Sequence, residues 1–114
     1  MTKQELENNL LAAVEELRVA RSQLEPLAKE WATAEQKYRK AQSIALLAAS
    51  GTIPEKKAHV DRVCNDEMLA AHAADALRDA VAKNCKAIEV EISAYQTLAG
   101  IMKAEMGLEG RYET

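Results

Sequence analysis

From Leu6 to Ala48 the chain places an apolar or aromatic residue at alternating steps of four and three without a break. The positions are Leu6, Leu10, Ala13, Leu17, Ala20, Leu24, Leu27, Trp31, Ala34, Tyr38, Ala41, Ala45 and Ala48. A period of about 3.5 residues puts all of them on one side of an α-helix, as a seam that packs against another helix. This one feature predicts an all-α fold and excludes a half-buried sheet, whose apolar residues would alternate with a period of about 2.

The ends of the elements follow from local chemistry. Thr2-Lys3-Gln4-Glu5 has the form of a capping box and predicts the start of helix 1 near residue 3. Pro26 lacks an amide donor and crowds the preceding turn. The seam nevertheless passes it in register, from Leu24 to Leu27 to Trp31, so the expectation is a kink within one helix, with a break into two helices as the alternative. Gly51 can close the helix in the left-handed conformation, and Thr52-Ile53-Pro54-Glu55 repeats the capping pattern. Helices joined by so short a turn run antiparallel.

Helix 2 is expected from about 54 to 106, stopped by Gly107 and Gly110, with a frayed tail over 107–114. Its second half carries a clean seam of Val81, Cys85, Ile88, Ile92, Tyr95, Ala99, Met102 and Met106. Its first half is looser: Val60, Val63, Ala70, Ala74 and Leu77 are usable, while Glu67 and Arg78 intrude on any strict register. The predicted architecture is one domain, a long coiled-coil-like hairpin with helix 1 over 3–49, a turn at 50–53, and helix 2 thereafter.

Composition bears on what such a hairpin needs. Twenty-two alanines and no phenylalanine make a seam that buries little area per residue. Packing of several chains into an oligomeric helical bundle through Leu6, Leu10, Leu17, Leu24, Leu27, Trp31, Val81, Ile88, Ile92, Tyr95 and Met102 would supply the missing burial. The net charge of −3 disfavours, without excluding, a DNA-binding role. No apolar run approaches the ~20 residues of a membrane span, and the N-terminus lacks the apolar core of a signal peptide, so a cytoplasmic setting is expected. Cys64 and Cys85 read as reduced thiols, ~31 Å apart if one helix carries both.

Catalytic motifs are absent: there is no glycine-rich phosphate loop, no Gly-x-Ser-x-Gly and no His-Glu-x-x-His. His59, Cys64 and His72 are not spaced to share a helix face as metal ligands, and no cofactor is implied. The uneven feature is basic. Lys37, Arg39 and Lys40 lie late in helix 1, and Lys56, Lys57 and Arg62 lie early in helix 2 with His59 among them. The hairpin brings these stretches to one end, where with Tyr38 they form a candidate anion site for a phosphate-bearing nucleotide or an acidic protein patch. With Glu35, Glu55 and Asp61 interleaved, the alternative is a dispersed solvent face.

The stretch from Lys37 to Arg111, with Gly51-Thr52, Glu55, Lys57-Ala58, Ser93-Ala94-Tyr95-Gln96 and Ala104-Glu105-Met106, resembles small alanine-rich helical proteins of tailed bacteriophages, often encoded near recombination and replication genes. The resemblance implies a phage origin, a host-cytoplasm setting and action by binding, and it carries no functional residues. The expected function is a non-catalytic, homo-oligomeric binding protein that captures a protein of host defence or phage DNA metabolism. The alternatives are sequestration of a nucleotide signal, or an accessory contact with DNA.

Overall fold

The computed structural model describes residues 1–112, with side chains through residue 107, as three α-helices: α1 (Lys3–Ala48), α2 (Ile53–Val63) and α3 (Asn65–Tyr112). Among the described residues there is no strand. The helices are shared between two compact units, one of Gln23–Val81 and one of Met1–Ser22 with the chain from Ala82 onward.

Within the Gln23–Val81 unit the chain turns back on itself. Gly51 takes φ 104°, a value that L side chains rarely adopt. Thr52 caps α2, its Oγ1 accepting the Glu55 amide at 3.4 Å, and Pro54 lies in the first turn, where its missing donor costs nothing. Ala45, Val60 and Cys64 form the buried cluster beside this turn, with Tyr38 and Ala41 packed on it. Farther from the turn the Arg78 guanidinium lies 4.2 Å from the Trp31 ring centroid. Moving back along α1 from Ala45 to Trp31 thus means moving forward from Val60 to Arg78, so the segments are antiparallel.

In the second unit Thr2 Oγ1 accepts the Glu5 amide at 3.1 Å, capping α1. Leu6, Ala13, Leu17 and Ala20 of α1 and Cys85 and Ile88 of α3 are buried. Arg21 donates to Glu89 at 2.7 Å, while Leu6 and Leu10 share a recess with Ala99 and Met106. These pairings also run antiparallel. Of the α1 seam, every residue from Leu6 to Ala45 is buried or half-buried, and Ala48 is exposed.

α1 runs through Pro26 as one helix, as the unbroken register of the seam led us to expect, and the alternative of a break into two does not occur. Two expectations need correction. First, helix 2 is interrupted at Cys64, whose φ −97° and ψ 14° fall in the bridge region. The amide of Cys64 still bonds the Val60 carbonyl, and the amide of Met68 bonds the Cys64 carbonyl, both at 2.9 Å. Second, α3 continues through Gly107 and Gly110 to Tyr112, because an interior glycine weakens a helix by about 1 kcal/mol without ending it. Of the tail expected over 107–114, the last two residues lie outside the described ones.

The seam of the α2–α3 arm also differs from expectation. Val63, Leu77 and Ala70 are exposed. The buried or half-buried positions are instead Val60, Cys64, Glu67, Ala71, Ala74, Arg78 and Val81. They step by four and three throughout, in phase with Cys85, Ile88, Ile92, Tyr95, Ala99 and Met102 farther along α3. Glu67 and Arg78 therefore occupy seam positions rather than avoiding them. Two of their atoms, Glu67 Oε2 and Arg78 Nε, are shut off from solvent without a hydrogen-bond partner. The other end of Arg78 is satisfied: it donates to Asp75 at 2.7 Å while its plane lies over Trp31.

Candidate functional site

Successive helical residues point about 100° apart, so four consecutive side chains cannot face one site. The basic region is divided accordingly. Arg39 of α1 and Lys56 and Lys57 of α2 line one groove of about 630 Å³. Lys37 lines a separate recess of about 390 Å³ with Lys29, Glu30 and Glu67. Tyr38 packs against the buried cluster instead of joining either, and exposed Lys40 lines neither. His59 is half-buried, its Nδ1 3.3 Å from the Arg62 guanidinium, so these two contact each other outside the groove.

The groove lies where α1 ends and α2 begins. Its apolar residues are Leu46, Ile53 and Val60, and its polar ones are Arg39, Gln42, Ser43, Lys56, Lys57 and Asp61. Three cations against one carboxylate make it locally positive in a chain whose net charge is −3. Glu35 pairs with Arg39 at 3.1 Å from one helical turn earlier, which orients the guanidinium and offsets part of its charge. The Ser43 hydroxyl is turned to the Arg39 carbonyl at 3.1 Å, as a mid-helix serine commonly is. Ile53 is 84 % exposed and Leu46 is 55 % exposed, large apolar surfaces left beside charged groups.

Sequence reasoning selected the cations of this groove and missed its apolar floor. Leu46 and Ile53 belong to neither seam, and an off-seam aliphatic residue on each side of a tight turn was the available signal.

The remaining titratable groups serve local structure. Arg18 holds the Glu15 carboxyl below its usual range through a direct hydrogen bond, and its own pKa is raised by the same contact. Tyr95 donates its hydroxyl to Glu91 at 3.0 Å, which raises the phenol's pKa because the bond is lost on ionisation. The Cys64 thiol is pushed up by burial first and by Glu67 and Asp61 after it. Among the described residues no three His, Cys, Asp or Glu side chains gather where they could hold a metal ion. Among the described residues no helix is long and apolar enough to cross a membrane. Compared with protein-family models, curated proteins and solved structures, the chain matches none.

Proposed function

We propose that this chain is a non-catalytic binding protein whose groove beside the α1–α2 turn captures an acidic segment of a partner protein. One observation carries the reading: Leu46, Ile53 and Val60 line the same groove as Arg39, Lys56 and Lys57. An amphipathic helix presenting one or two apolar anchors flanked by carboxylates meets both demands, the anchors displacing water from the floor and the carboxylates answering the cations. The resemblance to phage proteins adds components of host defence or of phage DNA metabolism as the source of that partner. A phosphate-bearing nucleotide is the second reading, favoured by three cations beside the side chains of Gln42 and Ser43.

The test is a pull-down from phage-infected cells with the intact chain and two variants, Ile53→Asp and the pair Lys56→Glu, Lys57→Glu. The expected result is a defined protein retained by the parent, lost from both variants and weakened by salt. A partner retained equally by all three would sink the proposal. Native mass spectrometry of the same material decides the second reading, since a released phosphorylated nucleotide would replace the protein partner as the ligand.

A further inference from the structure

We propose that the outer face of α3, over Ala87, Val90, Ala94, Leu98 and Ile101, is the packing surface for a second copy of this chain. All five residues are exposed, with Val90 at 67 % and Ile101 at 51 %. They recur at steps of three and four, as a helix-packing stripe does. In the same unit Cys85, Ile88, Ile92, Tyr95 and Ala99 are buried or half-buried, so the seam that could have served between chains is already occupied within one. The stripe lies about 140° around the helix from that seam. In the same unit α1 offers no equivalent: its exposed Leu11, Val14 and Val19 are interrupted by Glu15 and Arg18, which are joined at 2.6 Å.

The occupant is a second copy because the stripe matches itself under a two-fold axis at Ala94. The two helices then run antiparallel, Val90 meets Leu98 of the copy, and Ala87 meets Ile101. The small Ala94 at the crossing lets the axes approach to about 8 Å. Lys83 and Glu105 stand equally far from Ala94 on either side, so each end of the stripe brings a cation to a carboxylate.

The test is the mass of the intact protein in solution by sedimentation and light scattering. The parent is expected at about twice 12.5 kDa or a higher even multiple. Ala94→Glu is expected to halve that mass with helical circular dichroism unchanged, while Val19→Glu on α1 leaves it alone. A further variant, Ala94→Cys with Cys64→Ala and Cys85→Ala, is expected to form an intermolecular disulfide on oxidation and stays informative if Ala94→Glu fails to fold. A monomeric parent, or a dimer that Ala94→Glu leaves intact and Ala94→Cys does not cross-link, overturns the proposal. The groove variants Lys56→Glu and Lys57→Glu should not change the mass, which keeps failure here distinct from failure of the binding reading.

Discussion

Replacing Glu67 with leucine should make the protein more stable, an unusual outcome for a substitution at a helix contact. Glu67 occupies a seam position of α3 between buried Cys64 and Ala71, and its Oε2 has neither solvent nor a hydrogen-bond partner. Leaving an acceptor in that state costs about 1–3 kcal/mol. Lys29 and Lys37 line the same recess and offset part of the cost, which points to the lower end. Leucine would add about 40 Å² of buried apolar contact against Ala34 and Ala70, or about 1 kcal/mol at 25 cal/mol per Å². The sum is about 2 kcal/mol. For a domain of this size each kcal/mol moves the midpoint by roughly 4–8 °C, so a rise of about 8–16 °C is expected. The assay is thermal unfolding by circular dichroism at neutral pH and one fixed protein concentration, since association would otherwise move the midpoint. Leu77→Gln is the companion: Leu77 is exposed and off the seam, so its loss should stay within about 0.5 kcal/mol. A lowered midpoint for Glu67→Leu, or a core-sized loss for Leu77→Gln, would refute this register.

Ile88→Ala removes one of the few large side chains in the core and should cost about 2–5 kcal/mol in urea unfolding, whereas Val19→Ala on the exposed side of α1 should be nearly silent. Gly51→Ala should destabilise by about 1 kcal/mol or more, since φ 104° disfavours a side chain and the new Cβ would collide with the Glu55 carboxylate. Thr52→Ala should cost about 1 kcal/mol through the lost α2 cap, and thermal melts read both turn variants. Cys64 and Cys85 are buried, so neither should react with a thiol reagent until urea opens the chain. Because the Cys64 pKa is raised in the folded state, the unfolded chain gives up that proton first. Stability should therefore fall as pH rises above the ordinary thiol range of about 8.5, and a urea series from neutral to alkaline pH checks the sign.

The α1 seam was legible because large residues mark it at regular intervals: Leu6, Leu10, Leu17, Leu24 and Trp31 leave one phase open to an observer. The early part of α3 is different. Ala70 sits beside Ala71 and Ala73 beside Ala74, so neighbouring phases look alike, and two charged residues on the true seam argue for the wrong one. Stepping by four and three from Val60 reaches Val81 through Cys64, Glu67, Ala71, Ala74 and Arg78, so the answer was recoverable once charged seam residues were admitted. Arg78 is admitted because its guanidinium lies over Trp31, a contact that depends on both helices at once. The cations of the groove were legible for their number. Their division among groove, recess and open surface was not, since it depends on the rotation of α1 and α2 about their own axes.

The seam's uninterrupted phase also limits how such a chain can change length. Inserting one residue between Ala71 and Arg78 would turn the rest of α3 by about 100° and carry Val81 and the positions beyond it off the face that α1 covers. An insertion of seven residues nearly restores the phase, and a matching seven in the opposing stretch of α1 restores the pairing. Descendants of this sequence can therefore lengthen or shorten their arms in whole heptads, while single-residue insertions and deletions are confined to the turn and the ends.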